Sequence, residues 1–431
     1  MSVFINKVIL KVDGVVWYMF ATILLRLMLE LSYYFYVVPI HSYNGFLFQF
    51  DSSKYIESWV LYILLIQIFP KKLKMPSDLL IAILLFTFVA PLLVFYGLSG
   101  SQREHIYIIL FGVVLVFIFS RGRYLKLPVI SGTKNMVPAF LWFFLIAVTV
   151  EYIRRGGLQN LSFDFLKVYE FRQSSIEKFG QGIFGYLTQW GSKVVGPMLF
   201  AISLLKRDYA RALFIAIILV FWFGMSSHKA TVFFPLAVFL IWSIFRSSKV
   251  ITIIPLGISL LIGFSLAFYL LFDETIFASL FIRRLLFLPA QLTFVYYEYF
   301  SQNQFVYWSN SITAGYIQYP YKLVPPELIG NYMGSGDYAN AGFLATGYMH
   351  AGILGILLYG SVAGLLLRLV DSISYNPLPF WVSSSIFLIP WLTLVLSSDL
   401  PTTLLSHGFS ISLLFLFLYR SKKAHVSTFS N

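Results

Sequence analysis

From Val15 to Tyr419 the chain alternates long apolar runs with short polar breaks. A run that crosses a bilayer as a helix needs about 17–25 residues, or somewhat fewer where flanking aromatic or lysine side chains reach the interface. On that measure the pattern predicts about twelve transmembrane helices. They fall near 15–40, 55–70, 79–97, 106–120, 137–153, 185–205, 212–225, 230–245, 250–272, 342–368, 378–396 and 402–420. Two long stretches, 154–184 and 273–341, are left between them as loops; in the second, the apolar pieces within 280–300 read as too short to span. The expected fold class is an all-α polytopic membrane protein, one integral membrane domain over 1–431, with short interfacial helices in its two large loops.

Charge then orients the pattern. Basic residues mark the short loops on the cytoplasmic side of a membrane protein. Lys7, Lys11, Lys71, Lys72, Lys74, Arg121, Arg123, Lys126, Lys134, Lys206, Arg207, Arg211, Arg246, Lys249, Arg368, Arg420, Lys422 and Lys423 all fall on one side of the predicted layout. That side reads as cytoplasmic, with both termini on it and the two large loops outside. The first apolar run is longer than a signal-peptide core and lacks a small-residue cleavage site, so it reads as a retained helix.

Composition agrees with the membrane class: 59% of residues are hydrophobic and only 11% are charged, where a soluble domain carries roughly a quarter charged. The formal charge of +13 would suggest nucleic acid in a soluble protein, but here topology signals absorb most of it and no nucleic-acid partner is expected. With no cysteine in the chain, disulfides and thiol chemistry are excluded.

Some cations resist the topology explanation. Arg154, Arg155, Lys167, Arg172 and Lys178 lie in the first large loop, Lys193 in the outer half of the sixth predicted helix, and Arg283 and Arg284 open the second large loop. The first loop also carries Asp164, Glu170 and Glu177, so part of its charge reads as locally paired. The second is rich in Tyr, including Tyr297 and Tyr338; such rings stack on sugar faces but also form ordinary interfacial belts. The Arg283–Arg284 step inside an apolar segment is the harder feature to dismiss, because arginine grips a pyrophosphate bidentately.

Other polar groups have two readings each. His228 and Lys229 form a short outer turn that is a hydrogen-bonded turn or a binding site. His350, and His407 near the end of the last helix, are structural histidines or site residues. Arg26 and Glu30, four apart on the first helix, read as a structural pair. Gly360 and Gly364 form a GxxxG, a mark of close helix packing. No nucleotide-binding loop, GxSxG elbow or HExxH helix is present, so an energy source already held in the membrane fits better than bound ATP.

The two outer loops separated by four helices, with VYEFR (168–172), RRLLFLPAQLTFVYYEYF (283–300) and NAGFLATGYMHAGILGILLYG (340–360), resemble the Wzy-type O-antigen polymerases, the oligosaccharide repeat-unit polymerases of bacterial inner membranes. The resemblance implies a metal-independent, C-type (GT-C-like) glycosyltransferase without cofactors at the periplasmic face. It would transfer a growing glycan from undecaprenyl pyrophosphate onto an incoming lipid-linked repeat unit. A Wzz-type chain-length regulator, a Wzx flippase and membrane lipids would be its partners. On this reading Arg172, Arg283 and Arg284 hold the pyrophosphate, and His350, His228 or Glu170 accepts a proton. Lys229, Lys193, Arg154, Tyr297 and Tyr338 line the substrate. An O-antigen ligase, which transfers to lipid A core, and a Wzx-type flippase are the alternatives. A flippase would place its cations along helices around a cavity rather than in long loops.

Overall fold

With no water in a bilayer core, a spanning chain must satisfy its own backbone, and apolar runs therefore close into helices. The computed structural model describes residues 14–130, 132–163, 179–180, 182–226, 228–246, 250–375 and 378–420, and among these it is helical without a β-strand. In chain order the helices are α1 (Val15–Asn44), α2 (Ser52–Ile68), α3 (Pro76–Ser99), α4 (Arg103–Ser120), α5 (Thr133–Arg154), α6 (182–205) and α7 (Tyr209–Ser226). They continue with α8 (Ala230–Phe245), α9 (Ile253–Phe272), α10 (Ala278–Gln302), the short α11 (Pro325–Tyr332), α12 (Phe343–Ser374), α13 (Phe380–Ser397) and α14 (Leu400–Tyr419). Ten of them are long and apolar enough to cross a membrane. Leu213, Phe214 and Ile217 on α7 and Leu270, Leu271 and Phe272 on α9 stay exposed, as lipid-facing side chains do.

The twelve expected spans fall on helices, but two readings are corrected: 342–368 is broken at Ala351 and Gly352, and 280–300 is not a set of short pieces. It is one continuous helix of 25 residues, α10, and it qualifies as a tenth candidate span. The reason is local. Proline lacks an N–H and its ring collides with the carbonyl four residues back, so a helix that continues through it kinks or widens locally. Pro39, Pro91, Pro197 and Pro289 each follow a π-helical stretch, at Tyr33–Val37, Leu85–Val89, Gly191–Val195 and Ala278–Phe287. In α10 such a stretch precedes Pro289 and itself carries Arg283 and Arg284.

The chain divides into two compact units, Met1–Gly122, Ser248–Arg368 and Leu392–Pro401 in the first, and Arg123–Ser247, Leu369–Trp391 and Thr402–Asn431 in the second. In the first unit α1 packs along α9, α2 packs on the last turns of α3, and α3 itself is buried along its length. The expected Arg26–Glu30 pair is present at 2.8 Å, with Arg26 fully buried and also donating to Ser58 Oγ at 2.7 Å. The GxxxG does mark close packing: a Cβ at Gly360 or Gly364 would stand 2.6 Å from the carbonyl oxygen of Gly112 or Val116 on α4. In the second unit the buried half of α6 packs on α7 and α8, and α5 packs on the end of α14.

One helix is broken in a way that matters below. In α12 the backbone leaves helical geometry at Ala351 (φ −151°, ψ 30°) and Gly352 (φ 59°, ψ −136°). A Cβ at Gly355 would lie 1.8 Å from the Gly347 carbonyl oxygen, although eight residues of straight helix would separate the two by about 12 Å. The chain therefore runs through 343–350, reverses at 351–352, and runs back beside itself. Gly355→Ala is expected to lower stability by about 3 kcal/mol or more, because backbone would have to move. Thermal unfolding followed by tryptophan fluorescence checks this, with Gly257→Ala, where a Cβ meets nothing within 4 Å, leaving the midpoint unchanged.

Candidate active site

The reversal at 351–352 puts His350 at the end of a buried half-helix whose last carbonyls need donors. The segment after α10 supplies them: Val306 N donates to Met349 O and Tyr307 N to His350 O, each at 3.0 Å. To do so Tyr307 and Trp308 take left-handed backbone, φ 50° and 58°, a conformation that costs a bulky residue free energy and tends to persist where the surroundings impose it at functional sites.

A closed ring of hydrogen bonds follows. Trp308 N donates to His350 Nδ1 at 3.1 Å, and His350 Nε2 lies 3.2 Å from Asp399 Oδ2. Trp308 Nε1 donates to the Tyr359 hydroxyl at 2.7 Å, and that hydroxyl hydrogen-bonds Asp399. The Trp308 ring lies flat on the imidazole, centroids 4.9 Å apart and 14° from parallel. Since Nδ1 accepts from Trp308, the network assigns the imidazole proton to Nε2, where it is donated to Asp399. His350 is fully buried and both its nitrogens are engaged, which leaves no lone pair for a substrate proton. The carboxylate beside it, Asp399, keeps 14% side-chain exposure and accepts Leu400 N on Oδ1 at 2.9 Å.

In the same unit, the π-helical stretch of α10 carries Arg283 and Arg284. It touches two other π-helical stretches, those of α1 and α3, and such bulges recur at functional sites. Arg284 is exposed. Arg283 is half-buried, its Nε has no hydrogen-bond partner, and no carboxylate lies within ion-pair distance among the described residues. Tyr36, His41, Tyr43 and Asp337 are close enough to act on it electrostatically. Several other arginines are ion-paired: Arg26 with Glu30, Arg103 with Glu57, Arg121 with Asp78, Arg154 and Arg155 with Glu151, and Arg211 with Asp208, whereas Arg420 in the second unit also has buried guanidinium nitrogens without a hydrogen-bond partner. A partly desolvated guanidinium without a carboxylate in contact is costly. The extended run before α12 passes both groups: Asp337 lies in the field of Arg283, and two residues on, Ala339 O accepts from Tyr296, which in turn feels Asp399.

The remaining expected site residues divide as follows. Tyr297 stacks on His105 (4.3 Å, 25°) and donates to Glu104 Oε2 at 3.4 Å, while Tyr338 is exposed at 63%. Both belong to the first unit. In the second unit Lys193 contacts His407 Nδ1 at 2.7 Å, and Arg154 forks onto Glu151 at 2.6 and 2.7 Å. His228 and Lys229 sit in a turn closed by Thr231 N to His228 O and Val232 N to Lys229 O. Glu170 and Arg172 lie outside the described residues. The sequence reading missed Asp399, which lies 49 positions from His350. Its available signal was an acidic residue between two apolar helices, where charge is rare and functional by default.

Neither a family model, nor a curated protein, nor a solved structure matches this chain.

Proposed function

We propose that the chain polymerises undecaprenyl-pyrophosphate-linked oligosaccharide repeat units into O-antigen at the periplasmic face of the bacterial inner membrane, as a Wzy-type polymerase. The observation that carries this reading is Arg283: a half-buried guanidinium without an ion-pair partner among the described residues, in a π-helical stretch of a helix apolar enough to lie in a membrane. Such a group suits a leaving pyrophosphate held at headgroup depth.

The reaction balances on residues of one unit. A hydroxyl of the incoming repeat unit attacks the anomeric carbon of the growing chain. The carbon–oxygen bond to pyrophosphate breaks and a glycosidic bond forms. The hydroxyl proton passes to the Asp399 carboxylate, and undecaprenyl pyrophosphate departs with its new charge against Arg283, with Arg284 beside it. His350 and Tyr359 hold the Asp399 carboxylate in place and oppose its drift toward either neighbour.

Reconstitution tests the reading. Purified protein in liposomes, given undecaprenyl-pyrophosphate-linked repeat units, should yield lipid-linked glycans of two or more units together with free undecaprenyl pyrophosphate. Movement of the substrate across the bilayer without elongation would replace the polymerase by a flippase.

A further inference from the structure

The first unit contains a cleft of about 300 Å³, at the small end of the range of clefts that take small molecules. The turn after α1, the end of α3 with the loop that follows it, one face of α10 and the end of α11 form its walls. Its aromatic surfaces are Tyr43, Phe95, Phe294 and Tyr332, and its polar groups include Gln102, Gln291 and Glu298. Tyr43 ties the cleft to Arg283, since it lines the one and lies in the field of the other.

The polar lining joins one carboxylate, Glu298, to hydroxyl and amide groups that both donate and accept, among them Ser99, Ser101 and Gln102. Gln291 is 3% exposed; its Nε2 donates to Asn44 O at 2.6 Å, and its Oε1 has no donor. A buried acceptor left unmade costs about 1–3 kcal/mol; Oε1 has no exposed surface, so a ligand hydroxyl would recover this only once the Gln291 side chain turns toward the cleft. Glu298 accepts the Tyr332 hydroxyl on Oε1 at 2.9 Å and is the single charged residue of the lining. No lysine or arginine lines the cleft. That combination suits a donor-rich, uncharged ring with an apolar face and rejects an anion, so the cleft is not itself the pyrophosphate site.

We infer that this cleft is a glycan subsite for a neutral pyranose, with Glu298 and Gln291 accepting its hydroxyls and the aromatic walls covering its C–H face. The inference rests on the polymerase reading for its biological substrate, and it places the sugar in the same unit as the lipid-linked pyrophosphate held by Arg283. Saturation-transfer NMR on the full chain in nanodiscs tests it with methyl β-glucoside and methyl β-glucuronide as probes. Transfer is expected to the glucoside and not to the glucuronide. Glu298→Gln should weaken glucoside binding by about tenfold, as a hydrogen bond to a charged acceptor becomes one to a neutral amide, and Gln291→Met should weaken it as well. Both variants are to be checked for an unchanged elution profile. If either misfolds, Tyr332→Phe, which removes only the hydroxyl that orients Glu298, takes its place and is expected to shift the affinity in the same direction. Equal transfer from both probes, no transfer from either, or unchanged affinity in the folded variants overturns the subsite. Glucoside binding together with a normal O-antigen ladder in a strain lacking the gene would overturn the polymerase reading and leave the subsite standing.

Discussion

Arg283→Ala is expected to collapse the O-antigen ladder to a single repeat unit on the core while protein level and membrane insertion stay unchanged. The effect is electrostatic. The guanidinium meets no carboxylate within ion-pair distance among the described residues, so its removal breaks no internal salt bridge and should not destabilise the fold. What is lost is fixed positive charge where charge develops as the leaving group departs, an effect worth about 10²–10³ in rate for one well-placed donor. Arg283→Lys should recover little, because a point charge replaces a planar fork that grips two oxygens at once. The comparison to make is an immunoblot and a lipopolysaccharide gel of the same cells. A normal ladder from Arg283→Ala at normal protein level would remove Arg283 from the site.

The second large effect is expected at Asp399. Asp399→Asn keeps the shape of the side chain and one of the two oxygens that now meet Leu400 N and His350 Nε2, but it no longer takes up a proton. Turnover in the reconstituted system should fall by about 10²–10⁴, the usual contribution of a general base, with the elution profile and unfolding midpoint close to those of the parent. His350→Gln, which disturbs the orientation of the carboxylate but leaves its charge, should cost less. If Asp399→Asn elongates at the parental rate, the ring around His350 is a structural knot and the proton leaves by another route.

Much of the fold was legible because a bilayer punishes unsatisfied backbone so heavily that apolar length alone locates helices. The Arg26–Glu30 pair and the Gly360–Gly364 contact were legible for a related reason: both are short-range regularities of a single helix, visible as spacings of four. The reading failed at α10. Two adjacent arginines and a proline depress the local hydropathy of Ala278–Gln302, and a count of apolar residues does not register that one helix can run through all three. The site was half legible. His350 and Arg283 stood out as polar groups in apolar surroundings, but their environments depend on long-range contacts. Asp399 reads in sequence as an ordinary turn residue between Ser398 and Leu400. Only the reversal at Gly352, which turns His350 toward it, and the left-handed backbone at Tyr307 and Trp308, which closes the ring, give it a role. Neither is encoded by a periodicity.

The most direct measurement is a lipopolysaccharide gel of a strain lacking this gene, with and without complementation by the intact chain. The account predicts loss of the ladder with one repeat unit still attached to the core, and its return on complementation. Loss of all O-antigen, including the single unit, would contradict it and point to a ligase or a flippase, and a ladder that survives the deletion would contradict it outright.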